Sequence, residues 1–309
     1  MNNIYEAQAA NKRKSALVVV LFFLFTALCV YFISQAAGIY IGYQPTSLGF
    51  AGVALIISGV SSFVSYYFSD SIVLKISKAR PADPNRDSQF YSVVQNLSLG
   101  AGLPTPKLYI IEDTAMNAFA TGRDPDHAVL CATSGLLDKL TRTELEGVVG
   151  HELSHVKNYD IRLMSVVAVM VGMVALLADF FLRMSFWGKG SKDRDRGEAG
   201  ALMLVIGILF ALLSPIVANL IKLAISRRRE FLADAGSVAI TRQPSGLISA
   251  LEKISQDNEP LEVANKATAH LYIANPFKDK VSSGARIFSS LFNTHPPVGE
   301  RLQALRTML

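Results

Sequence analysis

Four stretches of this chain approach the roughly 20 apolar residues that a helix needs to cross about 30 Å of hydrocarbon, and they constrain its fold more than any other feature. They run from Ala16 to Ala36, Ser47 to Ser69, Leu163 to Ala178 and Ala199 to Ile221. With half of its 309 residues apolar and only 18% charged, the chain is too greasy for an ordinary soluble enzyme. Lipid is expected to solvate part of it. The first stretch follows Lys12, Arg13 and Lys14 as a signal peptide would. Its apolar run is longer than the roughly 7–15 residues of a signal core, and a second run follows almost at once, so an uncleaved anchor is expected.

Charge gives the orientation. Lys12, Arg13 and Lys14 precede the first stretch, Lys75, Lys78 and Arg80 follow the second, and residues 38–46 between them carry no cation. Both flanks are therefore expected on the cytoplasmic side. The second pair of stretches is joined by a segment with Arg183, Lys189, Lys192, Arg194 and Arg196, more positive than an external loop should be. That pair either crosses completely against the charge rule or forms a partly inserted hairpin, and both place residues before 163 and after 221 on one side. Asp179 and Arg183, four apart, can pair with each other. The formal charge of +5 would suit a nucleic-acid binder, but the cations lie mainly beside the apolar blocks and read as membrane flanks; no nucleic-acid partner is expected. Two cysteines, Cys29 and Cys131, suggest neither a disulfide framework nor a thiolate metal site.

The expected architecture is an α+β membrane protein. Four membrane-associated helices join a mainly helical cytoplasmic domain with a small β-sheet. Residues 1–69 form the first membrane unit, 163–221 the second hairpin, and 70–162 with 222–309 one split domain. Within the latter, a helix is expected from Asp87 to about Leu99, and strands at Lys107–Ile111, Asn117–Thr121 and Ala128–Ala132, separated by turn residues.

Residues 151–155 read His-Glu-Leu-Ser-His, an H-E-x-x-H pattern. Thr141 with Glu144 forms a capping-box start, and Leu145, Val148, Val149 and Leu153 continue an apolar face, so the pattern lies on a helix. Residues four apart there stand about 6 Å apart along the axis and share a face, so His151 and His155 can reach one ion. Glu152 can then act as general base on water. By itself the five-residue pattern arises often by chance. A second constellation, Arg229-Glu230-Phe231-Leu232-Ala233-Asp234, strengthens it. Glu230 can supply a third ligand, and Asp234 on the same face can accept the proton-bearing nitrogen of a ligating histidine. For both acids, and for Asp234 above all, ion pairs with the neighbouring arginines compete with this reading. For Asn158 and Asp160, just past the motif, a solvated helix end is the favoured reading. His127 and His270 match no part of the pattern.

The chain resembles the HtpX-type membrane zinc peptidases, gluzincins related to the CAAX prenyl endopeptidases. The likeness rests on the two N-terminal stretches, the His151 motif entering a third, a fourth stretch, and Arg228-Arg-Glu-Phe-Leu-Ala-Asp234. Two more segments share in it: Asn117-Ala-Phe-Ala-Thr-Gly122, similar to the family's active-site edge strand, and Thr294-His295-Pro296-Pro297 with Arg301, similar to its C-terminal motif. The resemblance implies one zinc ion per chain on His151, His155 and Glu230, and catalysis at the cytoplasmic face of a bacterial membrane. It implies polypeptide substrates, membrane proteins among them, and a part in quality control. Asn117, Ala118, Phe119 and Ala120 would bind an extended substrate by strand addition. His295 and Arg301 would present donors to an oxyanion. Two narrower readings compete: processing of prenylated C-terminal peptides, for which four membrane stretches are few, and a non-catalytic zinc scaffold, which would normally close its metal with four protein ligands.

Overall fold

Local signals set the elements, and tertiary packing sets their order. A computed structural model describes residues 4–41, 47–172, 227–264, 268–277 and 296–309, with only part of the side chains of the first two helices. These helices are α1 (Ile4–Ile41) and α2 (Ser47–Tyr67), followed by α3 (Ser69–Ile76). Then come β1 (Arg80–Pro81), α4 (Ser88–Ala101), β2 (Lys107–Ile111), β3 (Ala118–Gly122), β4 (Ala128–Thr133), α5 (Ser134–Lys139) and α6 (Arg142–Lys157). The helix α7 is described over residues 160–172. Further on lie α8 (Arg227–Thr241), α9 (Pro244–Gln256) and α10 (Val298–Arg306). The result is a mixed fold of helices around one small sheet.

The sheet has the order β1-β2-β4-β3. β2 and β4 pair in parallel from Lys107↔Val129 to Ile111↔Thr133, while β3 pairs antiparallel with β4 from Ala118↔Ala132 to Gly122↔Ala128. Every residue of β4 is buried, as a central strand requires. Because β4 inserts between β2 and β3, the strand that precedes it in sequence becomes the edge and faces α6.

One core gathers Phe90, Val93 and Val94 of α4, Leu108 and Ile110 of β2, Leu145, Val148, Val149 and Leu153 of α6, and Leu247 and Leu251 of α9. α6 thus runs through the middle of the domain. Its start is the expected capping box: the Thr141 N–H donates to Glu144 Oε2 at 2.8 Å, and the Glu144 N–H donates to Thr141 Oγ1 at 3.5 Å. α8 crosses α6 where small residues meet. A Cβ on Gly236 would lie on the Ser154 side chain, and Ser237 Oγ donates to the Gly147 carbonyl at 2.7 Å. Only side chains this small let two helix backbones come so close.

A separate apolar cluster joins α1 to α7 through Val18, Phe22, Leu163, Val166, Val167 and Met170. The other side of α1 exposes Leu17, Val20, Leu21, Leu24 and Leu28, and α2 exposes Ile56, Ile57, Val60, Phe63 and Val64. Among the described residues, no helix is long and apolar enough to cross a membrane. The basic segment between the third and fourth apolar stretches, with Asp179 and Arg183, falls outside the described residues, as do the fourth stretch and Cys29's side chain.

Candidate metal centre

His151, Glu152 and His155 project from the buried second half of α6, and Glu230 and Asp234 from the first half of α8. The close crossing brings the two sets together. His151 Nε2 lies 3.2 Å from His155 Nε2, and the Glu230 carboxylate is 3.7 Å from the first and 3.5 Å from the second. A tetrahedral zinc site with bonds of about 2.0–2.1 Å holds its ligand atoms about 3.3 Å apart, so these three donors have the spacing that such an ion needs. Among the described residues, His151, His155 and Glu230 form a cluster of potential metal ligands.

The outward nitrogens of both imidazoles are occupied. His151 Nδ1 meets Asp234 Oδ1 at 2.9 Å, and His155 Nδ1 meets Asp160 Oδ2 at 2.9 Å. Each contact fixes a tautomer with Nδ1 protonated and leaves the Nε2 lone pair for a metal. Asp234 therefore takes the position expected of it. Asp160 corrects the favoured reading of the sequence: it is 1% exposed and reaches back under His155. Asn158 is buried as well, and its carbonyl accepts from Asn11 Nδ2 at 3.0 Å.

Arg301 reaches the site through Asp234. Its Nε donates to Asp234 Oδ2 at 2.9 Å and its Nη2 to Asp234 Oδ1 at 2.6 Å, while Nη1 donates to the Ile273 carbonyl at 3.4 Å. This two-pronged grip holds the acid that orients His151, and Nη1 also stands 3.9 Å from the Glu230 carboxylate. His295 lies outside the described residues.

Buried charge also fits a dication. Four buried carboxylates, Glu152, Asp160, Glu230 and Asp234, face two buried guanidinium groups, Arg229 and Arg301. With neutral imidazoles the cluster has a net charge of minus two, which one divalent cation cancels. Burial drives the Glu152 carboxyl up to about 7. For the coupled imidazoles, burial pulls His151 down; it acts on His155 in the same direction, but the Asp160 hydrogen bond and the Glu230 charge outweigh it and hold His155 up.

β3 bounds the site. The Ala120 N–H donates to the Glu152 carboxylate. The edge that faces the site is partly covered: the Ile273 N–H donates to the Ala118 carbonyl at 3.0 Å, and the Gly122 N–H to Ser165 Oγ at 3.1 Å. Asn117 precedes the strand, and its Nδ2 donates to the Ala274 carbonyl at 3.1 Å. Phe119 is fully buried against Tyr272 and belongs to the core. Of the four residues expected to hold substrate, Ala120 meets Glu152 through its backbone, while the Ala118 carbonyl is taken by Ile273.

Comparison with known proteins agrees with this geometry. The sequence model of Peptidase family M48 matches residues 84–309. A "Protease HtpX homolog" of Dictyoglomus turgidum is 44% identical over 307 residues, covering 98% of this chain and 94% of that protein. Proteins of the same description from Caldanaerobacter subterraneus subsp. tengcongensis and Streptococcus uberis are 42% and 40% identical, covering 99% of this chain and 98% and 100% of their own lengths. A crystal structure of S. mikatae Ste24p, 17% identical, aligns with a TM-score of 0.46 over 96% of this chain and 66% of that one, too distant to carry an argument.

Proposed function

The chain belongs to peptidase family M48 and is a metalloprotease, and from that premise we propose that it is a zinc endopeptidase anchored in a membrane and working on polypeptides at the cytoplasmic face. The observation that carries the proposal is the convergence of two imidazole Nε2 atoms and one carboxylate, beside a buried glutamate that binds none of them.

His151, His155 and Glu230 would hold the ion. Zinc in that position supplies Lewis acidity to the substrate carbonyl and to water. Glu152, one residue from the first ligand, takes a proton from the attacking water on its carboxylate and returns it to the leaving amine. The Ala120 N–H keeps that carboxylate turned toward β3, where the backbone of an extended substrate would lie. Recognition through backbone groups selects little sequence and suits clearance of misfolded or membrane-associated proteins. The scaffold reading loses ground because Glu152, buried and ligating nothing, has a use only in an open site.

Membrane anchoring is supported by the exposed apolar side of α1 and α2. Ten large apolar side chains on α1 and α2 facing water would be an aggregation site. In lipid they are solvated. On this reading, residues 1–69 are the first membrane unit, 163–221 return as a second hairpin, and residues 70–162 and 222–309 close over the metal on the cytoplasmic side.

The test uses full-length protein in detergent, stripped with a chelator and reloaded with zinc. One zinc per chain and cleavage of an unfolded protein only in the reloaded sample are expected. Zinc without cleavage of unfolded or membrane polypeptides overturns the endopeptidase reading, and absence of metal overturns the ligands. Release of the full chain from membranes by alkaline carbonate overturns the anchor.

A further inference from the structure

The acid that orients His155 has a partner from an unexpected place. Asn11, on the first turns of α1, donates from Nδ2 to Asp160 Oδ1 at 2.7 Å and to the Asn158 carbonyl at 3.0 Å. Both partners are acceptors, so only the amide nitrogen can face them, and the side chain's orientation is fixed by chemistry. Asn11 is 4% exposed, although it is followed by the exposed Lys12, Arg13 and Lys14. A buried amide at the edge of a cationic run has a specific task.

The turn it holds is strained. Tyr159, between Asn158 and Asp160, has φ of 59°, a left-handed conformation that is unfavourable for a residue with a Cβ. Lys12 Nζ lies 4.1 Å above the Tyr159 ring and forms a second contact from α1 to the same turn. Asn11 holds the turn by its backbone, and Lys12 holds it by its side chain. The outcome is an Asp160 carboxylate shared between Asn11 on one oxygen and His155 on the other, with Arg229 Nη1 of α8 3.7 Å from the first oxygen.

We propose that Asn11 is a positioning residue of the metal centre: through Asp160 it sets the orientation of the His155 imidazole, so that the N-terminal helix takes part in binding zinc. The proposal rests on the metallopeptidase reading above and goes beyond it by assigning a role to a residue 144 positions from His155, the predicted ligand it acts on. Tension or displacement along α1 would then be felt at the metal, because the amide and the turn move together.

The test reads zinc affinity by chelator competition on the full chain in detergent. Asn11→Leu keeps the branched shape of the side chain and removes its donor. Loss of an outer hydrogen bond of this kind weakens zinc by about 10-fold or more. Melting of the metal-free protein reads the loosened turn separately from the loss of zinc. The same substitution made on top of Asp160→Ala should add no further loss, since the acid through which Asn11 acts is gone. Zinc affinity of wild-type strength in Asn11→Leu overturns the proposal, and so does an equal loss in both backgrounds. Should Asn11→Leu destabilise the metal-free protein, Asn11→Ala is read in the same cycle, and additive losses there overturn the proposal too. Wild-type protein that binds no zinc overturns the metallopeptidase reading together with this one, whereas zinc-loaded wild type with an indifferent Asn11 overturns this one alone.

Discussion

The two halves of α6 each bury a glutamate, and they treat it in opposite ways. Glu144, in the first turn, accepts from the Thr141 N–H and meets Lys253 Nζ at 2.7 Å, while Ser249 Oγ donates to its other oxygen. Burial by itself would raise Glu144, but Lys253, Ser249 and Thr141 outweigh it and hold the carboxyl down at about 2. Glu152, two turns later, has its burial only partly offset, by His155, Ala120 and Arg301, and rises to about 7. The same residue type on the same helix is held charged at one end by completing its partners, and at the other is left able to take a proton near neutral pH, as the proposed general base requires. A proton acceptor must be able to change its state near neutral pH, and a helix anchor must not.

The largest effect expected from this contrast is on catalysis. Glu152→Gln should retain zinc and lose peptide cleavage by about 10³- to 10⁴-fold, the scale of a general base. Metal analysis beside a cleavage assay checks it, and an active, zinc-loaded variant would break the distinction between the two glutamates. Next comes Asp234→Ala, which leaves Arg301 buried without its carboxylate. A stability loss of about 3–5 kcal/mol in denaturant is expected, with weakened zinc binding. A mild effect there would mean that the reactive end of the helix is less tightly braced than its geometry indicates.

Glu144→Gln should cost about 2 kcal/mol of stability through the capping box and the Lys253 pair, with kcat unchanged in the folded fraction. Loss of turnover at unchanged stability would show that the two ends are coupled. The smallest effect is a separation in pH. Glu152 is raised, so its basic form, and with it activity, appears as pH rises toward about 7; a bound dication favours the carboxylate and moves that limb lower. Glu144 is lowered, so its contribution to stability is present above the ordinary value of 4.5 and is lost as pH falls through about 2. Cleavage should therefore fail on acidification before the helix does, as turnover and circular dichroism followed over one pH series would show.

How much of this was legible in the sequence follows the distance between partners. The capping box and the His151 motif are local, and both lie where spacing places them. The strands were found within a residue or so of their ends, yet the insertion of β4 between β2 and β3 is a tertiary choice that no local pattern states. Glu230 and Asp234 could be recognised because their helical spacing repeats the logic of the histidines. Asp160 was misread as solvated because the turn at Tyr159, with its left-handed backbone, folds it under His155. Asn11 gave no signal, since a polar residue before a cationic run has many uses. The grip of Arg301 on Asp234 gives no signal of its own, because a sequence shows the charge and not which acid will claim it.

The grip of Arg301 on Asp234 has a consequence in time as well as in space. During synthesis the histidine motif leaves the ribosome long before residue 301 has been made. Until then Asp234 lacks the guanidinium that holds it, and His151 lacks a fixed support. The histidines and Asp234 are thus made before their brace, and the metal site can take its final form only after residue 301 has emerged.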